Sequence, residues 1–243
     1  MINKLKKMNL SLTASRAIDA YGGAELWKNG KYIEAEVSVK GLAFTLKRRP
    51  FFEHAKITME IGRPYSKLTP IGKDKNISGV LDGQDARLEN EKGEKLAERK
   101  NARNYFPFGR RLIYWDDLDM AYFSNYAFWN YFTLPRLLMN GNIEWTEKSE
   151  GFLVAKFPKS IPTHNEIQEL HFDTKTGLLI QHNYTAEIIS KLAKAAHVVV
   201  EHSQQNNLIF PSLRRVTPRT KKGKPLGKPV LIEIKVHSYT LVE

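Results

Sequence analysis

The sequence predicts a mainly β (α+β) protein: a large curved antiparallel sheet with an N-terminal helix and a central, aromatic-rich helical insertion. Three observations lead there. Over most of the chain, short apolar runs alternate with polar residues and are separated by turn residues. The pattern turns helical over one long central stretch, from Asn101 to Asn140. No strand–helix–strand alternation, the mark of a parallel sheet, occurs. The 243 residues contain no repeat, linker or low-complexity tract, so the expectation is a single domain over 1–243.

The elements follow in order. In "SLTASRAIDAYGG", Ser11 or Thr13 can cap a helix. Its apolar positions Ala14, Ala17, Ile18 and Tyr21 recur at helical spacing, and Gly22-Gly23 stops it; the helical region is expected over about 11–27. "YIEAEVSVKG" alternates, with Ile33, Ala35, Val37 and Val39 on one face. "LAFTLKR" and "HAKITMEIG" read as further strands. "ISGVLDGQDARLENEKGEKLAER" holds turn signals at Asp82-Gly83 and Asn90–Gly93, hence a three-strand meander. Beyond the insertion (about 101–140), hairpins are expected about Glu150-Gly151 and about Asp173–Gly177. "HVVVEHS", "LIFPSLRRVTP" and "VLIEIKVHSYTLV" complete about ten or eleven strands.

Composition narrows the functional classes. There is no cysteine, which excludes disulfides, thiol nucleophiles and cysteine-ligated metal. The net charge is +12, but "RRVTPRTKKGKPLGK", Arg214 to Lys228, holds seven basic residues and no acidic one, leaving +5 elsewhere. Its prolines and glycines suggest a solvated loop between two strands. No helix-turn-helix, zinc-finger or aromatic single-strand platform accompanies the charge, so a nucleic-acid partner is not expected; transient contact with an anionic membrane is compatible with it. The start, "MINKLKKMNLSLTASRA", is basic without the continuous apolar stretch of a signal peptide, and the expected location is cytoplasmic.

A helix ending in "AYGG", a strand bearing "VSVKG", a meander with a central "DG", a "FDTKTGLL" hairpin and "NNLIFPSLRR" occur in this order over most of the chain. That order resembles the LolA-like carriers of lipoproteins and lipids. The resemblance implies a half-open antiparallel barrel with helices packed into its mouth over a hydrophobic cavity. The chain departs from that family in showing no secretion signal and no lipobox cysteine, and in the length of its aromatic insertion.

The insertion is the densest signal. "WDDLDMAYFSNYAFWNYFTLP" places eight aromatics in 21 residues, against 11% in the whole chain. As a helix it sets Leu118, Tyr122, Tyr126, Trp129 and Thr133 in one row, Phe123, Ala127 and Tyr131 about 100° round, and Phe128 and Phe132 further. So wide an apolar arc must be buried on more than one side, as core or as a cavity lid. Tyr122, Phe123, Tyr126 and Trp129 are therefore candidate ligand contacts. Asp116, Asp117 and Asp119 precede it, where carboxylates favour a helix N-terminus.

Closing the 173–177 turn pairs Phe172 with Leu178, Leu170 with Ile180, Gln168 with His182 and Glu166 with Tyr184. One face then passes from apolar to polar, ending at His164, and antiparallel pairing of the next strand brings His202 near His182. His164, Gln168 and His202 are candidate ligand contacts, and His182, Glu166 and Tyr184 candidate proton-transfer groups if the protein is an enzyme. A one-residue bulge would turn this face to solvent, and hydrogen-bonded core histidines are common. The three imidazoles lack a carboxylate geometry beyond Glu166, so no metal is expected, and no motif implies a cofactor. The reading is a binding protein for a hydrophobic or amphipathic small molecule, lipid- or polyketide-like. The alternatives are a cyclase- or isomerase-type enzyme on the same scaffold, and a structural protein using the aromatic face as an interface. The oligomeric state is open.

Overall fold

The computed structural model describes residues 10–206 and 208–243. The basic start read as lacking a signal peptide lies largely outside the described residues. Two helices open the chain, α1 (Leu12–Ala20) and α2 (Ala24–Asn29). The Ser11 hydroxyl caps α1 by accepting from the Ala14 N–H, 3.3 Å away, and Thr13 is not the cap. Gly22 and Gly23 end it with φ of 102° and 86°, a backbone that L side chains resist.

Strands follow at β1 (Tyr32–Lys40), β2 (Phe52–Glu60), β3 (Tyr65–Thr69), β4 (Ser78–Asp82), β5 (Asp85–Glu89) and β6 (Lys95–Arg99). After the insertion come β7 (Glu144–Ser149), β8 (Phe152–Lys156), β9 (Ile167–Phe172), β10 (Leu179–Thr185), β11 (Lys194–Gln205), β12 (Leu208–Pro218) and β13 (Ile232–Val242). All form one antiparallel sheet of 13 strands, in the order β6-β5-β4-β3-β2-β1-β13-β12-β11-β10-β9-β8-β7. The sheet is long, curved and unclosed, with the chain's first and last strands paired at its centre. Alternation works as expected in β1, where Ile33, Ala35, Val37 and Val39 are buried.

Three expectations need correction. "LAFTLKR" is not a strand: Leu42–Leu46 is a short helix, α3, entered through Gly41 at φ 140°. Short apolar runs of this length do not separate helix from strand by periodicity. Tyr65–Thr69 pairs with β2 and β4 as an unforeseen strand. The basic stretch is only partly a loop, because β12 runs to Pro218 and takes Arg214 with it into the core.

The insertion holds two 3-10 turns (Ala102–Tyr105 and Gly109–Leu112), then α4 (Asp117–Phe132) and α5 (Leu134–Leu138). Every residue of α4 from Asp119 to Phe132 is buried. The helix fills the concave side of the sheet and is the centre of the core. A carboxylate cap fixes its start: Asp116 accepts from the Asp119 N–H at 2.8 Å, and Asp119 accepts from the Asp116 N–H at 3.1 Å. Asp119 is fully buried against Arg99, Arg110 and Arg111, which supply its compensating charge. Asp117 pairs with Arg49, so all three aspartates are engaged in holding the start of α4. Among the described residues no helix is long and apolar enough to cross a membrane.

Candidate ligand-binding cavity

A cavity of about 510 Å³ lies between α3, the Gly109–Leu112 turn, the 189–194 segment and the inner faces of β11 to β13. Ala43, Leu46, Ile189, Ala195, Val216 and Ile232 make most of its wall apolar. Phe123 of α4 and the pair His164–Tyr184, stacked at 3.9 Å between ring centroids, close its inner side. This volume accommodates a drug-sized apolar molecule. Two cations border it, Lys47 and Lys194. The Lys47 ammonium donates to the carbonyls of Arg111 (2.9 Å) and Leu112 (2.7 Å) and lies 5.2 Å from the Trp115 ring, so it ties α3 to the turn. Burial lowers its pKa, while Asp119 opposes that shift.

Behind the cavity runs a chain of hydrogen-bonding groups. His164 Nδ1 is 3.1 Å from the Tyr126 hydroxyl, and its Nε2 is 2.6 Å from the Tyr131 hydroxyl. The Tyr131 hydroxyl is in turn 3.0 Å from that of Tyr184. Burial, reinforced by His182 and Arg103, pushes the His164 pKa well below its usual value, so the ring is neutral and has one donor and one acceptor. One proton arrangement leaves no donor orphaned in the dry interior. Tyr126 donates to Nδ1, Nε2–H donates to Tyr131, and Tyr131 donates to Tyr184. The remaining free proton is then on Tyr184, a residue of the cavity wall.

Next to this chain, His182 Nε2 is 2.6 Å from Gln168 Oε1. The Gln168 amide nitrogen already donates to Thr163 Oγ1 and the Asn165 carbonyl, so His182 must be the donor. Burial, with the Arg214 charge, lowers the His182 pKa to about 3. His197 faces it across the β10–β11 ladder. His197 is fully buried, packs its ring edgewise on Tyr131 at 4.3 Å, and has no hydrogen-bond partner among the described residues.

The structure sorts the candidates from the sequence. Phe123, His164 and Tyr184 line the cavity. Tyr126 stands one step behind it, bonded to His164. Tyr122 donates to Gln84 Oε1 (3.1 Å) and Trp129 to the Glu60 carbonyl (2.7 Å), so both serve packing within the core. Gln168 and His182 do come together, though by another register. β10 pairs Leu179 with Phe172 and His182 with Leu170, and a bulge between Leu179 and Gln181 shifts the ladder.

Two placements are corrected. Glu166 is exposed, because the chain leaves the sheet before Ile167; it borders a separate polar cleft of about 430 Å³ with Gln84, Arg103 and Asn165. His202 is not near His182: the β10–β11 register puts His197 there, and His202 meets the Tyr21 hydroxyl at 3.0 Å. Register shifts against β12 between Val199 and His202 break the strand's alternation before it reaches His202. His197, Arg214 and Lys47 were missed. Alternation in "AAHVVV", with Ala195, His197 and Val199 inward, would have found the first. Among the described residues no three His, Asp or Glu side chains converge as metal ligands.

No protein-family model matches the chain, and no curated protein matches it in sequence. Solved structures match in fold. A LolA superfamily protein from Nitrosomonas europaea is similar with a TM-score of 0.53 and 9% identity, over 96% of this chain and 95% of that one. A DUF1329 family protein from Desulfovibrio piger gives a TM-score of 0.49 at 10% identity, over 94% and 91%. The fold is that of a LolA-like half-barrel.

Proposed function

We propose that this half-barrel binds a hydrophobic or amphipathic small molecule, lipid- or polyketide-like, in the 510 Å³ cavity. The observation that carries the reading is the apolar wall itself, preformed in a fold whose core is otherwise closed by α4. Tyr184 offers one polar contact from that wall. The reading keeps the cytoplasmic setting expected from the sequence, which cell fractionation checks. An enzymatic reading is less well supported: Glu166, the carboxylate it would use, faces solvent away from the cavity, and His164 is held between two tyrosines.

Native mass spectrometry of the purified chain tests the proposal. The expected result is a small apolar species bound to the wild type and reduced in Ala195→Phe, whose larger side chain fills the cavity. A chain that carries nothing, and takes up no fluorescent fatty-acid analogue, would overturn it.

A further inference from the structure

The mouth of the cavity is unusual in what it exposes. Leu46, Leu112, Ile113 and Leu192 line the cavity, yet are 60%, 59%, 64% and 86% exposed. Phe108, at the start of the same turn as Leu112, is 68% exposed. Single exposed apolar residues are ordinary; a ring of them around an apolar opening marks an interaction surface. The three segments that carry the ring, 42–49, 108–114 and 189–194, contain seven Lys and Arg residues and no Asp or Glu. Arg49, Arg110 and Arg111 are paired with aspartates at the start of α4. Arg48, Lys191 and Lys194 have no carboxylate partner among the described residues. The basic loop after β12 leaves from the same edge, since Pro218 and Leu231 both line the cavity.

The geometry points to an anionic bilayer surface as the partner of this mouth. Exposed leucine, isoleucine and phenylalanine side chains insert at the boundary between headgroups and acyl chains, while the surrounding cations meet anionic headgroups. The absence of acidic residues from the three segments is the complementarity that favours a lipid surface over a mixed-charge protein face. Pressed against a bilayer, the mouth would let an apolar molecule pass between membrane and cavity without crossing water. The inference rests on the cavity reading above and names the surface with which that cavity exchanges.

Vesicle sedimentation with the full chain tests it, alongside solution uptake of a dansyl-labelled fatty acid. Phe108, Arg48 and Lys191 do not line the cavity, so Phe108→Asp and the double variant Arg48→Glu/Lys191→Glu should keep uptake. The wild type should sediment with phosphatidylcholine vesicles containing phosphatidylglycerol, not with phosphatidylcholine alone, and added salt should weaken binding. Each variant should lose vesicle binding by about tenfold or more. Wild-type uptake without vesicle binding would overturn the docking surface and leave the cavity reading standing. Vesicle binding without uptake would instead remove the cavity reading and the exchange built on it. Variants that bind vesicles as the wild type does, or a wild-type dimer that Phe108→Asp dissolves while vesicles are ignored, would also overturn the docking surface.

Discussion

The Arg214 guanidinium sits 5.6 Å from the centroid of the Tyr131 ring and donates from Nη2 to the Tyr131 carbonyl at 3.3 Å. That carbonyl belongs to the last turn of α4, where the helix dipole is negative. The Tyr239 hydroxyl satisfies the next one, donating to the Phe132 carbonyl at 2.7 Å. A strand side chain thus caps a helix inside the core. The arrangement is incomplete, because Arg214 Nε and Nη1 have no partner among the described residues and no carboxylate balances the charge.

Replacing Arg214 by Met should therefore leave stability unchanged or raise it by about 1–2 kcal/mol, since an uncompensated buried cation costs more than its one hydrogen bond returns. Arg214→Ala should lose about 2–5 kcal/mol through the cavity it opens. Urea denaturation of both variants checks the pair. A Met variant as weak as the Ala variant would mean that the charge itself holds α4.

His182→Phe should cost about 1–3 kcal/mol, because Gln168 Oε1 is left buried without its donor. Since His182 does not line the apolar cavity, uptake of a fatty-acid probe should stay within about twofold; a change of one RT or more in binding would show that the cavity wall relays the loss.

Acid should destabilise the fold in a defined window. The buried histidines His164, His182 and His197 all have lowered pKa values, that of His182 falling to about 3. Above about pH 6.5 neither folded nor unfolded chain protonates them, and their contribution to stability is fully present. Below it the unfolded chain binds protons that the folded chain refuses. Stability then falls by up to about 1.4 kcal/mol per pH unit for each histidine, down to its folded value. Denaturation midpoints measured from neutral pH towards pH 4 should show this slope, and His182→Phe should flatten part of it. A flat profile would mean that these rings are hydrated in solution.

Hydrogen exchange should find the amides of Met120–Phe132 as slow as those of β11 and β12, because α4 is buried on all sides. Faster exchange in α4 than in the strands would restore it to the role of a lid.

Much of the fold was legible because it rests on local chemistry. Ser11, Gly22 and Gly23 bound α1, turn residues mark every expected hairpin, and Asp116 and Asp119 announce α4. That α4 is buried on more than one side was legible too, since no single stripe could hold Tyr122, Phe128 and Trp129 together; that it is core and not a lid was not. What failed depended on register. The bulge in β10 against β9 has no composition of its own. The β10–β11 register is regular from Thr185–Lys194 to Gln181–Val198, so it is set by where the turn before Lys194 closes; hence His197, not His202, meets His182. Arg214 reads as part of a basic loop because six further cations follow within Arg214–Lys228, and only the extent of β12 draws it inward. The cavity was placed under the aromatic row, whereas only Phe123 of α4 reaches it; the walls come from strands and turns far apart in sequence.

Among the described residues the open sheet has two free edges, and they are consecutive in the chain: β6 before the insertion and β7 after it. An unpaired strand is a template on which another chain can polymerise. Both edges here carry charges, Lys95 and Glu98 on one and Glu144, Glu147 and Lys148 on the other. Growth by strand addition would have to desolvate these groups or set like charges side by side. In a molecule that carries exposed leucines around its mouth, these edge charges oppose fibrous assembly, so its colloidal stability rests on its edges as well as on its net charge.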